Sequence, residues 1–175
     1  MSKAYMLITS QVGKDDSIIA LLRNIATVKE AHGAFGAYDI IVKLEADSEE
    51  NLHDEISNKI RKIQEIRSTL TLLVKDNGFN KTTELEEEIL KKHMTQAYVI
   101  IHCSKLNLTQ IVQELKKIPE IIECDSLLGT YELICKMVAP SYDEISNLVS
   151  KKIRKISDIK ATTTLNIIEN QGFNK

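Results

Sequence analysis

Gly36-Ala37-Tyr38-Asp39-Ile40-Ile41, answered by Gly129-Thr130-Tyr131-Glu132-Leu133-Ile134, decides the fold. The two stretches lie 129 − 36 = 93 residues apart. The same offset links Tyr5-Met6-Leu7-Ile8 to Tyr98-Val99-Ile100-Ile101 and Ile60-Arg61-Lys62-Ile63 to Ile153-Arg154-Lys155-Ile156. It slips by one only at Gly78-Phe79-Asn80-Lys81 and Gly172-Phe173-Asn174-Lys175. A fixed internal period is an architectural signal, and two copies make a tandem duplication.

Outward from Gly36 the pattern of one copy is readable. Thr27 to Phe35 and Tyr38 to Leu44 are strand-like, and the glycine between them makes the pair a hairpin. Upstream, Ala4 to Ser10 reads as a strand. Asp16 or Ser17 is placed to cap a helix carrying Ile18, Ile19, Leu21, Leu22 and Ile25. Downstream, Asp47 or Ser48 caps a helix with Leu52, Ile56, Ile60 and Ile63 on one face. Ile66 to Val74 is the last strand. The order β-α-β-β-α-β is the ferredoxin-like arrangement. The second copy repeats it, with strands from Ala97, Ile121 and Ile159, helices from Asn107 and Ser141, and a hairpin at Gly129.

The expected class is therefore α+β, two tandem ferredoxin-like units. The expected boundaries are 1–76 and 97–175, joined by a helical linker at 77–96. Thr83 with Glu86 forms a capping box for that linker. Met6-Leu7-Ile8, Ile40-Ile41-Val42, Leu72-Leu73-Val74, Val99-Ile100-Ile101 and Leu133-Ile134-Cys135 are apolar in consecutive positions, so these strands are buried on both faces. Two helices cover one face, and the other predicts sheets packed face to face, within a chain or between chains. At roughly 25 cal/mol per Å², several hundred Å² of apolar sheet is worth on the order of 10 kcal/mol.

Composition narrows the function. Of 175 residues 43% are hydrophobic and 27% charged, with a net charge of −2. No global basic field attracts nucleic acid or anionic membrane. No apolar run reaches membrane-span length and the start lacks a secretory signal, so a cytoplasmic protein is expected. Cys103, Cys124 and Cys135 fit no zinc spacing and align with Ser10, Ala31 and Val42, which favours small buried hydrophobes. His32, His53, His93 and His102 are scattered, and the lysine-rich second helices read as solvated faces. No nucleophile–base set, metal motif or phosphate loop appears, so no enzyme and no cofactor are expected.

Gly36-Ala37-Tyr38-Asp39 after Val28-Lys29-Glu30-Ala31-His32, with Ile66-Arg67-Ser68-Thr69-Leu70-Thr71-Leu72-Leu73-Val74 as last strand, resembles the effector-binding module of the Lrp/AsnC regulators. The second copy is similar through Leu128-Gly129-Thr130-Tyr131-Glu132 and Lys160-Ala161-Thr162-Thr163-Thr164. The resemblance implies self-association through sheets and a small effector, an amino acid or similar. It places the effector near Gly36, Tyr38, Asp39, Arg67, Ser68, Thr69 and Thr71, and near Gly129, Tyr131, Glu132, Thr162, Thr163 and Thr164. Each residue has a plainer reading. The glycines serve backbone geometry, Asp39 is a solvated turn group, the tyrosines are interface aromatics, and the threonines are ordinary strand residues. Family regulators carry a helix-turn-helix ahead of this module, whereas here the first strand begins at about residue 4. The expectation is a stand-alone duplicated sensing module that modulates partner proteins, without direct nucleic-acid contact. The alternative is an adaptor that joins full-length regulators of the family without a ligand.

Overall fold

A computed structural model describes residues 1–81 and 94–175. The elements are β1 (Ser2–Ser10), α1 (Asp15–Arg23), β2 (Val28–Phe35), β3 (Ile40–Ala46), α2 (Glu49–Glu55), β4 (Ile66–Asn80), β5 (Thr95–Cys103), α3 (Leu108–Lys116), β6 (Ile121–Leu127), β7 (Leu133–Ala139), α4 (Tyr142–Leu148) and β8 (Ile159–Asn174). Each copy thus has the β-α-β-β-α-β order of a ferredoxin-like unit. Residues 82–93 of the expected linker helix lie outside the described residues.

In the first unit β1 is central, antiparallel to β3 on one side and to the first half of β4 on the other. Beyond β3 lies β2. The second unit repeats this with β5 between β7 and the first half of β8, and β6 beyond β7. Pairing is in register at Met6↔Val42 and Ile8↔Ile40, and those side chains join Ile18, Leu22, Leu52, Ile56 and Ile60 in the helix-covered core. Side chains of opposite parity face away from the helices, yet Tyr5 is 1% and Leu7 0% exposed. Tyr98, Ile100, Ile134 and Leu165 are equally buried in the second unit. The runs of consecutive apolar residues therefore mark strands buried on both faces, as the alternation rule requires.

The second helices start as expected. Ser48 Oγ accepts from Asn51 N at 3.1 Å and Ser141 Oγ from Glu144 N at 3.2 Å. Both end in a wide turn, Ile56–Ile60 and Val149–Ile153, closed by Arg61 N to Ile56 O and Arg154 N to Val149 O, each 2.9 Å. The start of α1 corrects the expectation. It begins at Asp15, and Lys14 at the cap position makes no side-chain cap bond. The nearby polar groups are engaged elsewhere: Asp15 accepts from the Ser10 hydroxyl, and Asp16 Oδ1 from Gln171 Nε2 at 3.0 Å. Asn107, at the cap position of α3, makes no side-chain cap bond, and its Nδ2 donates to Asp158 Oδ2 at 2.6 Å. A tight turn at Lys105–Asn107 precedes that helix instead.

The last strands run further than expected. β4 continues past Val74 to Asn80, and β8 reaches Asn174. Compactness divides the chain differently from the repeat. Ile167–Lys175 belongs to the first unit, and the second spans Lys75–Asn166. Within the first unit the end of β8 lies beside β2, and within the second the end of β4 lies beside β6. Glycine and asparagine are poor strand formers, and residues 77–80 fall in the expected helical linker, which is corrected here to strand.

Ser48→Ala and Ser141→Ala should each cost about 1 kcal/mol, by loss of one satisfied helix-start N–H. The two sites share no partner, so the double variant should lose about the sum, measurable by urea denaturation.

Candidate functional site

Each hairpin turns on a glycine in a backbone region that side chains avoid, φ 141° at Gly36 and 107° at Gly129. A Cβ on Gly129 would meet nothing within 4 Å, so its conformation alone demands glycine there. The turn closes through Ala34 N to Asp39 O at 2.8 Å and, in the second unit, Leu127 N to Glu132 O at 2.9 Å. β3 starts at Ile40 and not at Tyr38, because Asp39 bends across to β1, its N–H donating to Ile8 O at 2.9 Å. Glu132 N donates likewise to Ile101 O at 3.1 Å.

That bend sets the carboxylates at the ends of β1 and β5. Asp39 Oδ2 accepts from Ser10 N at 2.8 Å. Glu132 Oε1 accepts from Cys103 N at 2.9 Å and pairs with His102 Nδ1 at 2.7 Å. These are the points where pairing with the last strand slips, between Thr9 and Ser10 and between His102 and Cys103. A bulge disrupts the local ladder, and the carboxylate satisfies an N–H there. Asp39 is half-buried, while Glu132 is only 3% exposed. The picture of Asp39 as a simple solvated turn group is therefore corrected, and both carboxylates support the backbone.

The last strand supplies the other side. Ser68 pairs with Thr9, Thr69 with Ile8 and Thr71 with Met6. Pairing alternates faces, so Thr69 and Thr71 share the helix-covered side with Ile8 and Met6, and Ser68 points the opposite way. Thr71 Oγ1 is buried without a hydrogen-bond partner. In the second unit Thr162 and Thr164 lie opposite Ile101 and Val99 on the helix side, and Thr163 opposite Ile100 on the other. Arg67 falls within the bulge and is exposed, as is Lys160. The structure gathers Gly36, Tyr38, Asp39, Arg67 and Ser68 around the end of β1, and divides the threonines between two faces. The second unit gathers Gly129, Tyr131, Glu132 and Thr163 around the end of β5 in the same way.

His102 was missed in the sequence. Its ring is 43% exposed and its Nδ1 is held by Glu132, so Nε2 is left to meet other groups. The first copy has Thr9 at this position. The pair is 30 residues apart, and only the adjacency of β5 and β7 joins it. His32 similarly pairs with Glu30 at 2.9 Å, and Glu30 also meets Lys43 at 3.4 Å. Among the described residues, two of the cavities lie elsewhere. One of about 340 Å³ is lined by Asn107, Gln110, Glu114, Lys152, Lys155 and Asp158. The other, about 440 Å³, is lined by Thr27, Glu45, Asp47, Asn51, Asp54 and Glu55. Neither includes a residue that the sequence placed in the site.

The three cysteines are free and buried, as small apolar residues would be. Cys124 lies opposite Cys135 across β6 and β7. Burial, then the Glu132 carboxylate, pushes the Cys103 thiol up to about 11. Among the described residues no His, Cys, Asp and Glu group is arranged to hold a metal, and no helix is long and apolar enough to cross a membrane.

The Cys103 shift has a definite sign. A thiol raised from 9.0 to about 11 on folding adds stability below pH 9 that is lost as pH rises towards 11. Cys103→Ser should flatten that alkaline limb of the stability curve. Glu132→Gln should bring the thiol pKa down, readable by ultraviolet thiolate titration.

The family profile described as the Lrp/AsnC ligand binding domain matches residues 3–82 and again 96–171. An uncharacterized HTH-type transcriptional regulator of Pyrococcus horikoshii is 24% identical over 113 residues, 64% of this chain and 72% of that one. The crystal structure of FFRP-DM1 is 37% identical, covering 43% of this chain and 100% of its own at a TM-score of 0.42. The siroheme decarboxylase NirDL is 12% identical and shares the fold, covering 99% of this chain and 72% of its own at a TM-score of 0.73. Two profile matches in tandem, over a repeated β-α-β-β-α-β order, place this chain in the Lrp/AsnC ligand-binding domain family.

Proposed function

We propose that the chain is a cytoplasmic small-metabolite sensor, for an amino acid or a similar compound, that acts on partner proteins through its state of association. The observation that carries this reading is the repeated ligand-binding-domain match, centred in each copy on a glycine turn whose carboxylate clamps a strand end. The effector would sit at the ends of β1 and β5. Gly36, Tyr38, Asp39, Arg67, Ser68, Thr69 and Thr71 would serve the first site, and Gly129, Tyr131, Glu132, Thr162, Thr163 and Thr164 the second. The carboxylates' remaining lone pairs suit an ammonium group, and Arg67 suits a carboxylate in a planar two-point contact.

The copies are not equivalent. Lys160 stands where the first has Arg67, and His102 where it has Thr9. A lysine gives a point charge without the guanidinium fork, and an imidazole held by Glu132 offers a second nitrogen. The two sites should therefore rank ligands differently. A ligand shifts association only by binding one state better than another. No catalytic step is part of this reading, although the fold is shared with a decarboxylase.

Thermal denaturation across the amino acids and nucleobases tests it. A ligand at a hundred times its dissociation constant adds about 2.7 kcal/mol, a shift of several degrees. Asp39→Asn and Glu132→Gln should weaken that response selectively for the ligand of each unit. If no compound stabilises the chain, while it still co-purifies with a full-length family regulator, the ligand-free adaptor replaces the sensor.

A further inference from the structure

The three cysteines of this chain all lie in the second unit, and the strand register sorts them. In the hairpin of β6 and β7, Leu127 N donates to Glu132 O at 2.9 Å, so these two residues face each other as a hydrogen-bonded pair. Pairing then steps inward through Ser126↔Leu133, Asp125↔Ile134 and Cys124↔Cys135. Hydrogen-bonded and non-hydrogen-bonded pairs alternate along an antiparallel ladder, so Cys124 and Cys135 form a non-hydrogen-bonded pair. Cα atoms of such a pair approach to about 4.5 Å, within the span of a disulfide. Both side chains join the helix-covered core, at 0% and 1% exposed. The Cys135 thiol donates a hydrogen bond to the Cys124 sulfur, and that bond, with burial, holds it well above the usual thiol range.

Cys103 is left out by the same register. On β5 the partner of Cys135 is Val99, and Cys103 comes four residues later. At about 3.3 Å per residue that is roughly 13 Å along the strand, beyond the reach of a disulfide. In the first unit Ala31 faces Val42 at the place of the pair, since 124 − 31 and 135 − 42 are both 93. Two apolar residues fill that core, so packing at these positions does not require sulfur. The second unit has a thiol at both facing positions.

We propose that Cys124 and Cys135 are a reversible disulfide site, closed by a small disulfide such as oxidised glutathione and reopened by thiols. One cysteine thiolate attacks the glutathione disulfide, forms a mixed disulfide and releases one glutathione thiolate. The second thiolate attacks the cysteine sulfur of that mixed disulfide, forms the cross-strand bond and releases the other glutathione. The protein gives up two electrons and two protons, and the small disulfide takes them as two thiols. Burial shields the pair, so exchange waits on local opening of the hairpin and is slow. Facing thiols have a high effective concentration for each other, which favours the internal bond over two separate adducts. In a reducing compartment the pair stays a dithiol and closes only under an oxidising load. The bond ties β6 to β7 around the Gly129 turn that sets Glu132. It needs no effector, and so goes beyond the sensing reading.

The full chain, unfolded in urea and refolded in a millimolar mixture of oxidised and reduced glutathione, tests the proposal, since refolding removes the access barrier. Remaining thiols are trapped with iodoacetamide and the chain is mapped by mass spectrometry. The expected product yields a peptide linked through Cys124 and Cys135, lighter by two hydrogens than the unlinked pair, and leaves Cys103 outside the bond. It should melt above the reduced form, because the bond constrains the unfolded chain, and dithiothreitol should abolish the difference. Cys103→Ser should close the same bond. Cys124→Ala combined with Cys135→Val, the pair that the first unit already packs, should fold and show neither an internal disulfide nor a rise in Tm on oxidation. Three unlinked cysteines after refolding, a bond that involves Cys103, or an oxidised chain that melts below the reduced one overturns the proposal.

Discussion

Neither repeat closes its own core. The aromatic plug of the first unit, Phe173, comes from the far end of the chain, and its lysine clip spans 150 residues to Ile25 O. The plug of the second, Phe79, comes from the end of the first repeat. This constraint explains why β4 and β8 are 15 and 16 residues long, where strands of five or six are usual. Each has two tasks along its length. Its first half flanks the central strand beside the hairpin, and its second half completes an edge.

The hairpin carboxylates show how architecture and recognition share residues. Asp39 and Glu132 each take a backbone N–H at the bulge that ends the central strand. That bond fixes the turn and holds a carboxylate at the end of the central strand. Glu132, one methylene longer than Asp39, reaches a backbone N–H and an imidazole with the same oxygen. The two copies thus keep the same scaffold bond while the groups around it differ.

Much of this was legible because it is periodic. The offset of 93 gave two units, and the consecutive apolar pairs Tyr5-Met6 and Leu7-Ile8 gave strands buried on both faces. Ser48 and Ser141 announced their helices by standing one residue before an acidic first turn. What was hidden depends on partners distant in the chain. Asp16 looks like a cap until Gln171 is found donating to its carboxylate from 155 residues away. Gly78-Phe79-Asn80 falls in the expected linker until an edge carbonyl is found within collision distance of its glycine. His102 looked isolated because its partner, Glu132, lies 30 residues away, just before β7. One strand shows alternate side chains to opposite faces, so Ser68 and Thr69, opposite Thr9 and Ile8, fall on different sides of the sheet, a division that a list of residues does not display.

Nuclear magnetic resonance of the intact chain, without metabolite, tests the shared claim most directly. The account predicts Overhauser contacts between the Phe173 ring and the Arg23 side chain, and slow amide exchange at Lys81, whose N–H is donated to Ile122 O. A Phe173 ring with the chemical shifts of free phenylalanine, together with a Lys81 amide exchanging at the rate of an unfolded chain, would contradict it.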